Sequence, residues 1–254
     1  MYAENFNLTD YLQRINYEKT PAADLPTLVG LMRAQLFSVA FENLDVQAGK
    51  VVSMMPEDIV EKIVYKGRGG YCYEVNGLFA MALAAIGFEY VLIGARPMFY
   101  PTRRPKTHMV LAVKADERWW LCDLGFGSFG IRAPLCLDQL HHTIQQDDDF
   151  FKLVKVDEKE IVMQARVDGD WVNQYGFDLY PHEWIDFSLA NYFNSTHPDA
   201  IFVQKLLVVK HNPAGRHILF GNRLKIIAKG ITTVRDLSDS EVKELLQVEL
   251  GLVI

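Results

Sequence analysis

Cys72, in the run "RGGYCYEVNGLF" (68–79), has the type and the setting for covalent chemistry. Glycine adopts backbone angles that other residues avoid, so Gly69 and Gly70 predict a sharp turn that leaves Cys72 in the first turn of a helix. A helix start carries partial positive charge and unpaired N–H groups, which stabilise a thiolate and can bind the oxyanion of an acyl transfer. The same stretch also describes a small hydrophobe buried beside a turn, the common fate of a free cysteine. A nucleophilic reading therefore needs partners elsewhere in the chain.

Two runs supply them. "THMVLAVKA" (107–115) sets His108 at the head of a strand that is apolar on both faces. "RWWLCDLGFG" (118–127) sets Asp123 on one face of an apolar strand with Trp119 and Leu121. A buried carboxylate is costly unless it is paired or hydrogen-bonded. The short turn "DER" joins the two runs, so they read as a hairpin about Asp116 and Glu117. His108 then faces a position near 125, and Asp123 lies within about two residues of that register, an offset a bulge absorbs. An Asp on the imidazole fixes its tautomer and stabilises its charged form. Cys, His and Asp in that order give a nucleophile, a base and an orienter. Read separately, each residue is also an ordinary satisfied core position.

The elements that must hold these residues follow from the pattern. Residues 1–87 read as helical, with Thr9 or Asp10 as the first cap and Gly87 closing the helix that begins near Cys72. From about residue 88 the apolar period changes to two, and six short β-rich runs follow without intervening helices, which predicts an antiparallel barrel or sandwich. Beyond about 186 the chain turns mixed, with "FVQKLLVVKH", "GRHILFGNRLKIIAK" and a closing helix "SDSEVKELLQVEL" forming a small α/β piece.

Composition narrows the function classes. The chain has 254 residues, half of them apolar, and a net charge of -6. That size fits one large domain or a few small ones, and the acidic balance argues against a nucleic-acid binder. No apolar run is long enough to span a bilayer, and the N-terminus lacks the basic and apolar regions of a secretory signal. Three cysteines form no disulfide framework, and neither they nor the histidines show metal-ligand spacing. A reduced, cytoplasmic, metal-free protein is expected, with no membrane or nucleic-acid partner.

The segments "AFENLDV" (40–46), "RGGYCYEVN" (68–76), "THMVL" (107–111), "CDLGFG" (122–127) and "NSTHPDAIF" (194–202) resemble those of the arylamine N-acetyltransferases, in that family's order and at suitable spacing. The resemblance implies an α+β fold with a cysteine-protease-like site: an N-terminal helical bundle (1–87) carrying the nucleophile, a central antiparallel β-barrel (88–190) carrying the His and Asp, and a C-terminal α/β lid (191–254). It implies that Cys72, His108 and Asp123 are the catalytic triad. It implies acetyl-CoA as cosubstrate, an arylamine, hydrazine or N-hydroxyarylamine as acceptor, and ping-pong transfer through an acetyl-cysteine. Thr107, Gly125, Gly127 and Phe202 resemble family positions near the acyl donor, and Phe126 one lining the acceptor pocket. Arg68 and Glu42 match positions of a buried ion pair behind the nucleophile.

Ala40 stands where the family usually has Pro, and Gln35 where His is frequent. Arg103, Arg104 and Lys106, in the loop before His108, are candidates for the CoA phosphates. Two other readings keep the residues and change the reaction: a related amide synthase, or a transglutaminase-like cysteine hydrolase. A third makes the chain a non-catalytic binder of aromatic amines or CoA. The physiological acceptor and the oligomeric state, a homo-oligomer included, stay open.

Overall fold

Residues 1–252 are described by the computed structural model. Helix α1 (Leu8–Arg14) begins where the Asn7 side chain accepts from the N–H groups of Thr9 and Asp10, a few residues earlier than the cap expected at Thr9 or Asp10. Helix α2 (Leu25–Ser38) begins where Asp24 accepts from the Thr27 N–H, with Pro26 in its first turn. A two-residue strand, β1 (Phe41–Glu42), and two short helices, α3 (Leu44–Gln47) and α4 (Pro56–Val60), lead to α5 (Cys72–Ile86). Every residue of α5 from Cys72 to Leu83 is buried, and the helix stops at Gly87, whose φ of 98° only glycine adopts without strain.

Eight antiparallel strands follow: β2 (Glu89–Pro97), β3 (His108–Ala115), β4 (Arg118–Cys122), β5 (Leu135–Cys136), β6 (Ile144–Gln146), β7 (Asp149–Lys155), β8 (Ile161–Val167) and β9 (Asp170–Phe177). Their spatial order is β5-β4-β3-β2-β9-β8-β7-β6. Leu140, past β5, bridges to Leu153 on β7, which draws the two ends of the sheet together into a nearly closed barrel. The hairpin from β3 to β4 turns at Asp116 and Glu117, both in the left-handed region at φ 49° and 61°, as a two-residue turn matching strand twist requires. Its register pairs Leu111 with Cys122. Extended past the end of β4, that register leads from His108 to Gly125, two residues from Asp123, the offset that the sequence predicts.

Helices α6 (Ser188–Thr196) and α7 (Ile201–Gln204) precede β10 (Leu207–Asn212), β11 (Gly215–Phe220), β12 (Arg223–Ala228), β13 (Ile231–Asp236) and α8 (Asp239–Glu244). The four strands form an antiparallel meander that β1 joins at the β10 edge. This part resolves the expected α/β piece and adds one strand to it. "FVQKLLVVKH" divides between α7 and β10, "GRHILFGNRLKIIAK" holds two strands, and β13 is an additional strand exposed at every residue, so it shows no alternation to read. A small core of Val208, Leu219, Leu224, Leu245 and Leu246 lies under it, while one larger core runs from Ala3 through α5 and the barrel to Val209.

Strand β1 positions the site. Phe41 pairs with Val209 on one side and bridges Gly70 on the other. Two residues therefore stitch the turn before Cys72 to the C-terminal sheet. Among the described residues no helix is long and apolar enough to cross a membrane, and no group of three or more His, Cys, Asp or Glu side chains is placed to hold a metal ion.

Candidate active site

Cys72 is the first residue of α5 and is buried. Neither preceding glycine has a left-handed backbone, so the turn does not need them for their φ angles. It needs them for closeness. A Cβ on Gly69 would lie 2.1 Å from the Ala40 carbonyl oxygen, and one on Gly70 would lie 2.7 Å from the Glu74 Cβ. The gap left by the missing side chains admits two backbone hydrogen bonds, Gly70 N–H to Ala40 O (3.2 Å) and Glu42 N–H to Gly70 O (3.1 Å).

Five charged groups sit behind this turn. Arg68 donates through Nε and one terminal nitrogen to Glu42 Oε1 at 3.0 and 2.9 Å, the ion pair the resemblance implies. Lys62 contacts Asp45 (2.6 Å) and Glu74 (2.7 Å) and lies 3.8 Å from Glu42. The other Glu74 oxygen accepts the Tyr71 N–H at 3.0 Å, capping α5. Burial, reinforced by the charge of Glu42, raises the Glu74 carboxyl to about 7 against the pull of Lys62.

The His108 Nε2 donates to Asp123 Oδ2 at 2.8 Å, with both side chains buried. The second Asp123 oxygen accepts from Asn76 Nδ2 (3.1 Å) and from the Gly125 N–H (2.9 Å). Asn76 also donates to the Met109 carbonyl (2.7 Å) and accepts the Leu124 N–H (2.9 Å). It lies one helical turn after Cys72, so one amide ties α5 to the strand of His108 and the loop of Asp123. Burial disfavours a charged imidazole, but the charge and hydrogen bond of Asp123 outweigh it. Cys72 adds in the same direction, and the ring is raised to about 10. The Tyr175 and Phe126 rings pack on the imidazole at 5.2 and 5.3 Å.

The loop after β4 closes directly on Cys72. A Cβ on Gly125 would lie 2.5 Å from the Cys72 Cα, and one on Gly127 would lie 2.9 Å from both Leu207 and Phe41. Cys72 and His108 open into a cavity of about 360 Å³, the scale of a small-ligand site. Thr107, Gly125, Phe126, Gly127 and Phe202 all line it, so these five expected residues share one cavity with Cys72 and His108. Thr107 is held by its carbonyl, which accepts from Tyr73 (2.8 Å) and Asn194 (2.9 Å). Phe202 packs against Tyr71 and Phe41.

The three basic residues of the preceding loop do not behave alike. Arg103 pairs with Glu160 and Lys106 with Asp178, while Arg104 lines the cavity. Gln35 accepts from Tyr11 and donates to the Val75 carbonyl, so it braces α5 from behind rather than facing the cavity. Sequence reasoning passed over Asn76, although a lone amide inside an apolar helix, one turn from the cysteine, was a readable signal. It also passed over Asn43, whose side chain bonds the Phe202 and Lys205 carbonyls and the Leu207 N–H, fixing the segment that carries Phe202.

The sequence profile described as N-acetyltransferase matches residues 24–254. A Salmonella typhimurium protein named arylamine N-acetyltransferase / N-hydroxyarylamine O-acetyltransferase is 31% identical over 84% of this chain and 75% of its own. The solved M. smegmatis arylamine N-acetyltransferase superposes with a TM-score of 0.93 at 30% identity, covering 98% of this chain and 93% of that one. The Mycobacterium marinum arylamine N-acetyltransferase, solved in complex with CoA, superposes at 0.90 with 34% identity over 97% and 93% of the two chains. The match begins before α2 and takes in α5, the barrel and the C-terminal sheet, and on it this chain belongs to the arylamine N-acetyltransferase family.

Proposed function

We propose that the protein transfers an acetyl group from acetyl-CoA to an arylamine through an acetyl-Cys72 intermediate, with His108 and Asp123 completing the catalytic triad. The observation that carries this reading is the Asp123–His108 pair facing Cys72 in one cavity, with the imidazole raised to about 10. An imidazole that holds its proton at neutral pH places a positive charge beside Cys72. The N-terminus of α5 adds partial positive charge at the same point.

The Cys72 thiolate attacks the thioester carbonyl of acetyl-CoA. Its sulfur forms a bond to the acetyl carbon, and the bond from that carbon to the CoA sulfur breaks. The CoA thiolate leaves, and one thiolate replaces another, so the exchange is nearly balanced. The departing CoA thiolate takes the Nδ1 proton of His108 and leaves as the free thiol, so the ring is neutral at Nδ1 and can serve as a base for the amine. The arylamine then attacks the thioester carbonyl, His108 takes the amine proton, and the Cys72 thiolate is expelled. Asp123 keeps Nε2 occupied throughout, which leaves Nδ1 for this proton.

The nearly apolar cavity, walled by Phe126 and Phe202, suits an aromatic acceptor. An N-hydroxyarylamine would enter the same wall and present an oxygen in place of the nitrogen. A cytoplasmic enzyme fits the reduced state of all three cysteines. The test is CoA release from acetyl-CoA on adding a panel of arylamines. Amine-dependent CoA release matched by acetylated amine supports the reading. Amide hydrolysis without CoA would replace it with the hydrolase reading.

A further inference from the structure

The loop between β2 and β3 carries three cations, and the structure separates them. Arg103 is satisfied by Glu160 at 3.2 Å and Lys106 by Asp178 at 2.7 Å. Arg104 has no carboxylate within ion-pair distance among the described residues. Its guanidinium lies over the Tyr100 ring at 4.8 Å, and its Nε is shut away from solvent with no hydrogen-bond partner. Its charge therefore has no anionic partner among the described residues, and an anion in the cavity that Arg104 lines would supply one.

Arg104 shares the cavity with Cys72 and His108. The wall between them is aromatic in every step: His108 to Phe126 at 5.3 Å, Phe126 to Phe99 at 5.9 Å, and Phe99 to Tyr100 at 4.4 Å. A flat ring bearing an amine at one end and an anion at the other matches that wall. The planar fork of Arg fits a carboxylate, with two donors facing two oxygens. The other cation on the cavity, Lys225, lies over the Phe129 ring on the C-terminal sheet, and the one acidic lining residue, Asp199, follows α6. Neither belongs to the Arg104 wall.

We propose that Arg104 is a specificity residue that selects acceptors carrying a ring carboxylate remote from the amine. This rests on the acetyltransfer reading above. The probe pair is 4-aminobenzoate and its methyl ester, which differ in charge. The ester also withdraws electrons more strongly, so the reading is the change in the acid-to-ester ratio between wild type and variant, in which that intrinsic difference cancels. The wild type is expected to favour the acid in kcat/KM. Arg104→Gln is expected to lower the ratio of acid to ester about tenfold or more, the loss of one charge-assisted contact. Arg104→Lys is expected to restore part of it.

Equal losses for acid and ester would overturn the proposal, as would a wild type with no preference for the acid. A loss confined to the acetyl-CoA half-reaction would also overturn it, since Arg104 would then meet a CoA phosphate instead. Calorimetric binding of 4-aminobenzoate in a Cys72→Ala background separates the two readings. Binding that weakens on adding Arg104→Gln upholds the role of Arg104 even if no acetyl transfer is found. Binding that does not change contradicts it even if transfer is robust.

Discussion

Replacing Gly125 with Ala tests whether the loop after β4 holds the proposed triad by closing on Cys72. The added Cβ would sit 2.5 Å from the Cys72 Cα, against an ordinary contact of at least 3.4 Å, so the loop or the helix start must retreat by roughly 0.9 Å. The obstructing atom is backbone at the buried head of α5, which leaves the loop as the part that yields. That loop carries the Gly125 N–H bond to Asp123 and the Phe126 ring on His108. A displacement near 1 Å at a reacting group costs about 100-fold in rate, and overpacking costs about 1–3 kcal/mol of stability. Rapid-quench measurement of CoA release in a single turnover reads the first effect, and thermal unfolding reads the second. A variant that acetylates within threefold of wild type at an unchanged Tm would refute the close approach and its role.

Two further substitutions probe the electrostatics. Asp123→Asn keeps a hydrogen-bond acceptor for Nε2 and removes the charge that raises the imidazole against its burial. Single-turnover acetylation is expected to fall by about 1,000-fold or more, with alkylation of Cys72 at neutral pH slowed alongside. An unchanged alkylation rate would show that the thiol does not depend on the charged ring. Glu74→Gln tests the group behind the turn. The folded Glu74 is raised from 4.5 to about 7, so the stability it contributes is fully present below pH 4.5 and is lost as pH rises through about 7. The stability of wild type relative to the variant should therefore decline across that window in urea melts, and a constant difference would contradict the assignment.

The hairpin that carries His108 and Asp123 was readable because two strands with apolar faces meet at a two-residue turn, which fixes the register to within a residue or two. Helix α5 and its end at Gly87 were readable for similar local reasons. Strand β1 was not, since two residues carry no period and its pairing with β10 joins positions far apart in the chain. The glycines before Cys72 were noticed, but their reason was not legible. Closeness to Ala40 and Glu74 exists only once those segments are folded together. Nor does the run "RRPK" show which of its cations finds a carboxylate, because Glu160 and Asp178 come from a distant loop and from the end of β9.

The central claim is that Cys72 carries the acetyl group between donor and acceptor. Intact-protein mass spectrometry after mixing with acetyl-CoA alone, with no amine present, tests it most directly. The account predicts one added acetyl group per chain, mapped to the peptide containing Cys72, absent in Cys72→Ala and discharged on adding an arylamine. A wild-type protein that gains no acetyl group, or a Cys72→Ala variant that gains it equally, would contradict the account.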